Sequence, residues 1–194
     1  MLRPNSLIWH YVIHSYLYGE DLPPSDVLFW NCDSTRMPAA MHEFYLRELY
    51  MNNRLIEPGG LVIGGRRLDL GAISQPLYAV GAEQDHIAPW KQTFRLCGLT
   101  GGPARYVLAT SGHILGIINP PVTPPKRRFW VGDATDAKDP EAWRERVEKA
   151  PGSWWDDWTR WLNERCGPLG APPAMGNADY PPLEPAPGRY VREG

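Results

Sequence analysis

Near the start of the chain apolar side chains fall at helical spacing. Leu7, Ile8, Tyr11 and Val12, then Ser15 and Tyr16, predict a helix over residues 5–18. DLPPSD, Asp21 to Asp26, breaks that helix, and VLFWNCDSTRMP follows as a short apolar segment running into a polar turn. Pro38 is placed to open a second helix over about 38–52, with Met41, Phe44, Tyr45 and Leu49 along one face, and NNRLIEPGG ends it. From Leu61 the pattern changes. LVIGGRRLDL reads as a short hairpin with Gly64-Gly65 at its turn. Residues 76–113 then read strand (PLYAV), polar turn, helix (about 89–98), GLTGGP turn and strand (ARYVLA). Two strands joined by one helix form a βαβ unit, which implies a parallel sheet. INPPVTPPKRRFW is expected to be a proline-rich loop, followed by a helix from about Pro140 to Lys149 and a last helix over SWWDDWTRWLNERC. Gly167 to Gly194 has 5 Gly and 7 Pro in 28 residues, too little apolar surface for a core, and predicts an extended tail.

Parallel βαβ units carry their ligand-handling residues just beyond the carboxyl ends of the strands. Two candidates fall there: Asp85 in AEQDHIAPW, after PLYAV, and His113 in ATSGHILG, after ARYVLA. A histidine titrates near ~6.5 and so can take and return a proton at neutral pH. An aspartate that accepts its other N–H fixes the tautomer and stabilises the imidazolium. Gly112 would permit the tight turn that a histidine entering a cleft needs. The plainer reading is a strand-end Asp and a loop His that never meet.

Such a pair needs a nucleophile, and no G-x-S-x-G or G-x-C-x-G elbow occurs in the sequence. Cys97 falls inside a predicted helix, Cys32 has Trp30 rather than Gly two positions before it, and Cys166 is at the end of the last helix. Each reads as an ordinary thiol. His10 and His14, at i and i+4, have a spacing that can hold a metal, but no third ligand is evident. Asp85, His86 and His113 are explained with fewer assumptions as a carboxylate–imidazole pair, so no metal and no cofactor is expected. Trp154, Trp158 and Trp161 share one face of the last helix. Such a stripe is usually core packing, and a surface for an apolar polymer is the sharper alternative.

Composition narrows the classes. The 194 residues are 43% hydrophobic and 22% charged, as in globular proteins. A formal charge of −2 gives no general attraction to nucleic acid or anionic lipid, and KRR at 126–128 is too short to alter that. Three well-spaced cysteines form no disulfide framework or structural zinc site, which suits a reducing cytosol. No run approaches the ~20 apolar residues that span a bilayer.

The motifs LRPNSLIW, WNCDSTRMP, EPGGLVIGGRRLDL, EQDHIAPW, SGHILGIINPP, GSWWDDW and EPAPGRYV resemble the carboxy-terminal part of class I polyhydroxyalkanoate synthases, from about Leu2 to Val191. The resemblance implies the last strands and helices of an α/β-hydrolase-like fold, incomplete without an upstream segment whose strands would pair with residues 76–109. It implies a cap or lid over residues 1–70, a core over 71–166 and a Pro/Gly-rich tail over 167–194. The implied activity is polymerisation of (R)-3-hydroxyacyl-CoA into polyester with release of CoA, in a cytoplasmic homodimer at the granule surface. A cysteine in a G-x-C-x-G box would carry the growing chain, and His113 would deprotonate it. Asp85 would either orient His113 or activate the 3-hydroxyl of an acyl group. Arg3 would lie near the substrate entrance. On this resemblance the chain begins inside the cap, and the nucleophile belongs to an upstream segment, so the chain alone is expected to be inactive. The alternatives are a fragment of a depolymerase or thioesterase, with water as acceptor, and a non-catalytic partner for dimerisation and granule binding.

Overall fold

The computed structural model describes residues 9–21, 36–185 and 188–189. Arg3 and Cys32 lie outside them. The chain divides into two compact units, Met1–Asp156 and Asp157–Gly194.

In the first unit, Val12–Leu17 is a π-helical segment, closed by bonds such as Tyr18 N–H to the Ile13 carbonyl. It falls within the helix expected over 5–18. Pro38 caps α1, Ala39–Phe44, which continues as π-helix over Tyr45–Met51. The apolar face expected there is present, and Met41, Phe44 and Tyr45 on it are exposed. The hairpin forms as its sequence predicts: β1, Leu61–Ile63, pairs antiparallel with β2, Arg66–Leu68. Gly64 and Gly65 take φ of +56° and +77°, which only glycine adopts freely and which a tight two-residue turn requires.

A four-stranded sheet carries the rest of this unit. β3, Leu77–Ala82, and β4, Ala104–Ala109, run parallel in register from Leu77↔Ala104 to Ala82↔Ala109. Between them lie α2, Trp90–Phe94, and a 3-10 turn over Arg95–Gly98, so the βαβ reading of 76–113 holds. The wholly parallel sheet does not. β5, Arg128–Asp133, pairs antiparallel with β4, and β6, Lys149–Pro151, pairs antiparallel with β5, giving the order β3-β4-β5-β6. Two expectations are corrected here. RFW, 128–130, opens a strand rather than ending a proline-rich loop, and the helix expected to reach Lys149 stops earlier, as α4, Pro140–Arg146. β5 buries Phe129 on one sheet face and Trp130 on the other, so its sequence lacks the polar–apolar alternation of a half-exposed strand. β6 is a short edge strand, where Pro151 is tolerated.

The sheet is covered on both sides. Tyr106, Leu108 and Trp130 face α2 and α4, packing with Trp90, Phe94, Cys97 and Trp143. Val107, Ala109 and Phe129 face the other way, against Tyr78, Val80 and Trp154. There, α3, Leu115–Ile118, lies against β3: a Cβ on Gly116 would stand 2.5 Å from the Ala82 Cβ, so only glycine permits this approach. Among the described residues the outer edge of β3 has no partner strand.

The last helix, α5, spans Trp155–Asn163, shorter than the expected 153–166. In the second unit no helix or strand occurs among the described residues after Asn163.

Candidate functional site

Because β3 and β4 are adjacent, parallel and equal in length, their carboxyl ends open at one edge of the sheet. The chain beyond them stays paired for two more residues: Glu83 N–H donates to the Ala109 carbonyl at 2.8 Å, and Gln84 N–H to the Ser111 carbonyl at 3.0 Å. Asp85 and His113 follow at once and meet. His113 Nδ1 lies 2.8 Å from Asp85 Oδ2 across 28 positions of sequence. The reading in which the two never meet is thereby excluded.

The carboxylate is held from both oxygens. Oδ1 accepts the Ile87 N–H at 2.9 Å and the Ala88 N–H at 2.8 Å, leaving Oδ2 to the imidazole. Only 4% of the Asp85 side chain is exposed, against 45% for His113. Burial raises the Asp85 carboxyl, but the N–H of Ala88, the His113 ring and the N–H of Ile87 more than offset it, and the group titrates below the usual carboxylate value. An ionised carboxylate only accepts, so Nδ1 donates and Nε2 carries the ring's lone pair. A half-exposed imidazole with its tautomer fixed in this way can take a proton at Nε2 and later return it.

The sign of the linkage follows from the lowered pKa. Asp85 stabilises the fold fully above its ordinary titration near ~3.9, and that contribution is lost as pH falls through the depressed folded value. Asp133 is depressed as well, by the Thr135 hydroxyl and N–H, and adds an acid loss of its own. Melting followed from pH 6 to pH 3 should therefore fall less steeply in Asp85→Asn than in the unaltered chain, with the Asp133 part common to both. Equal slopes would show that the pair contributes nothing to acid stability.

Sequence reasoning missed four features around the pair. The strained backbone is at Ser111, with φ of +97°, and not at Gly112, to which the tight turn had been assigned. Glu83 pairs with Arg144 of α4, whose guanidinium lies 4.4 Å from the Trp130 ring centroid, a contact across 61 positions that no local pattern signals. Thr110 Oγ1 donates to the Arg128 carbonyl and accepts the Arg128 N–H, binding the end of β4 to the unexpected β5. The Ile87 and Ala88 N–H groups were legible in principle, since an Asp shortly before a proline-opened helix commonly turns its carboxylate onto the next backbone amides.

The other candidate residues separate from the pair. Cys97 is 1% exposed in the core, and burial pushes its thiol up to about 11. Cys166 is exposed and lies in the second unit. Brief iodoacetamide treatment at pH 8 should modify Cys166 and leave Cys97 unmodified, as read by peptide mass mapping. Alkylation of Cys97 without unfolding would contradict its burial. The His10 and His14 ring centroids are 4.5 Å apart, and His14 Nδ1 lies 2.7 Å from Glu20 Oε2. Among the described residues no three His, Cys, Asp or Glu side chains gather as a metal site. No helix among them is long and apolar enough to cross a membrane.

No family model matches the chain. Curated proteins do. Poly(3-hydroxyalkanoate) polymerase 2 of Ectopseudomonas oleovorans is 44% identical over 191 residues, 98% of this chain and 34% of the relative. The poly(3-hydroxyalkanoate) polymerase subunit PhaC of Cupriavidus necator is 45% identical over 192 residues, 98% of this chain and 32% of the relative. The subunit of the same name from Rhizobium meliloti is 44% identical over 192 residues, covering 99% and 31%. This chain thus spans about a third of the length of the curated relatives it matches. Its long motifs and its mixed α/β sheet agree with that relationship, and the chain belongs with the poly(3-hydroxyalkanoate) polymerases as a counterpart of their carboxy-terminal part.

Proposed function

We propose that this chain supplies the general base and its orienting carboxylate to a cysteine-dependent acyl transfer that builds polyester from (R)-3-hydroxyacyl-CoA. The observation that carries the proposal is the Asp85–His113 pair at 2.8 Å, in a chain 44–45% identical to polymerases of 3-hydroxyalkanoates. The thiol belongs to a G-x-C-x-G segment outside residues 1–194. His113 Nε2 takes the thiol proton, and the thiolate attacks the carbonyl carbon of the acyl-CoA. The tetrahedral intermediate expels the CoA sulfur, which leaves with that proton. In elongation the 3-hydroxyl of one acyl group attacks the thioester of another. His113 takes the hydroxyl proton and returns it to the departing cysteine sulfur, so that one ester forms as one thioester breaks.

Of the two roles open to Asp85, orientation is the one its surroundings support. A general base works best with a pKa near the operating pH, and this carboxyl is depressed and already accepts three hydrogen bonds. A depolymerase or thioesterase would use the same pair with water as acceptor, but the relatives' names favour polymerisation.

We further assign residues 1–70 to a cap, 71–166 to the carboxy-terminal part of an α/β-hydrolase-like core and 167–194 to an extended tail. The outer edge of β3, without a partner strand among the described residues, suits a strand from the thiol-bearing segment. The exposed Met41, Phe44 and Tyr45 suit a homodimer contact through the cap. A polyester product suits a cytoplasmic protein at the granule surface, and Arg3 is assigned to the substrate entrance.

The test combines this chain with a polypeptide carrying the G-x-C-x-G segment of a relative and follows CoA release from 3-hydroxybutyryl-CoA with a thiol reagent. Release by the mixture, and none by either component, is expected. Release by this chain alone, or none by the mixture beside an active full-length relative, would overturn the proposal.

A further inference from the structure

The GSWWDDW motif is not used by the chemistry above, yet its first tryptophan reaches both arms of the site. The Trp154 indole N–H donates to the Ile117 carbonyl at 3.0 Å, and its ring lies 6.3 Å from that of Tyr78 at an interplanar angle of 37°. Ile117 is in α3, which begins two residues after His113, and Tyr78 is on β3, which delivers Asp85. A second contact runs parallel to the first. Asn119, 2% exposed, donates from Nδ2 to the Gly152 carbonyl at 3.3 Å. Residues 152–154 therefore hold both the carbonyl end of α3 and the residue that follows it, on the same sheet face where Gly116 packs on Ala82.

This matters because, beyond the close approach of Gly116 to Ala82, the side chains of α3 anchor it little. It is four residues long, and Ile114, Leu115, Ile117 and Ile118 are all at least a third exposed. A helix so short has no stability of its own and keeps its place through tertiary contacts. His113 is bonded to Asp85 at its ring, but its backbone is positioned by this segment.

We propose that Trp154 is a positioning residue: by bonding the Ile117 carbonyl while its ring packs at a tilt against Tyr78, it ties the helix that follows His113 to the strand that carries Asp85. Trp154 lies just before α5, in a turn, and not on a face of that helix with Trp158 and Trp161 as the sequence suggested. The inference rests on the acyl-transfer reading only for its effect on rate; the effect on the Asp85–His113 bond stands without it.

Trp154→Phe keeps an aromatic ring over Tyr78 and removes the donor. In proton NMR of the full chain, an imidazole N–H bonded to a carboxylate gives a strongly downfield resonance, assigned through its loss in His113→Gln. That resonance should broaden or vanish in Trp154→Phe and persist in Trp155→Phe, which has the same chemistry one residue along the chain. In the combined assay Trp154→Phe should lower kcat about tenfold with KM unchanged, as displacement of a reacting group does. An unchanged resonance and kcat in a folded Trp154→Phe would overturn the inference, as would an equal loss in Trp155→Phe. If Trp154→Phe does not fold, Asn119→Asp, which keeps the side-chain shape and loses the donor to Gly152, is judged by the same two readouts. Failure of the acyl-transfer reading is seen separately, as CoA release that survives His113→Gln.

Discussion

His113→Gln should cut CoA release in the combined assay by about 10³–10⁴-fold, with both the first turnover and elongation lost. Glutamine can occupy the space and still donate to Asp85 Oδ2, but it has no lone pair basic enough to take a thiol or hydroxyl proton. Asp85→Asn makes the finer test. The carboxylate receives Ile87 and Ala88 N–H at one oxygen and His113 Nδ1 at the other. An amide can keep the first set of bonds or offer an oxygen to the ring, but it brings no charge to stabilise an imidazolium and permits the wrong tautomer. If Asp85 orients His113, the first burst of CoA release falls about 10²–10⁴-fold together with elongation. If Asp85 instead activates the substrate hydroxyl, the burst survives and only later turnovers are lost. A single-turnover measurement on a pre-mixed complex decides between them. Because the lowered pKa of Asp85 keeps it ionised well below neutrality, the acid limb of the rate profile should not be set by this carboxyl.

The site was legible to the extent that it depends on strand ends. PLYAV and ARYVLA are short apolar runs with a helix-sized gap, and the right-handed parallel crossover leaves few ways to arrange them. Once they are neighbours, Asp85 and His113 must open at one edge. What the pattern did not disclose depends on residues brought together from far along the chain. Arg144 reaches Glu83 across the sheet face, and Trp154 reaches Ile117 from 37 positions away. Neither contact has a local period. The strands β5 and β6 were missed for a different reason. Phe129 and Trp130 are buried on opposite faces, so the stretch has no alternation, and the prolines immediately before it suggest a loop. The strained Ser111 is the reverse case: sequence reasoning looks to glycine for unusual φ, whereas here the left-handed residue is a serine whose carbonyl accepts the Gln84 N–H. These unread features bear on how firmly the pair is held, while the pair itself follows from the βαβ unit.

Trp143→Ala should produce the largest loss of stability of any single substitution in the sheet's α2–α4 face, about 3–5 kcal/mol by urea unfolding of the full chain. Trp143 is 1% exposed, and its ring lies 5.3 Å from that of Phe94 and 5.2 Å from that of Tyr106. Its indole N–H donates to the Asp133 carbonyl at 3.0 Å, so truncation leaves a cavity and takes from that carbonyl one of its donors, Arg146 Nη2 at 3.1 Å remaining. Trp143→Phe separates the two effects. It refills most of the cavity and loses only the donor, at a cost of about 1–2 kcal/mol. Trp155, 37% exposed at the start of α5, is the comparison. Its replacement by alanine should cost clearly less than that of Trp143, because a side chain more than a third exposed leaves a smaller cavity when shortened. The same ordering should appear at the site. α4 carries Arg144 one residue from Trp143, so loosening the helix releases Glu83 and then the turn that presents Asp85. Trp143→Ala should therefore lower CoA release under conditions where most of the protein is still folded. A variant that loses stability by the expected amount yet keeps full activity when folded would show that the Arg144–Glu83 contact does not reach the pair.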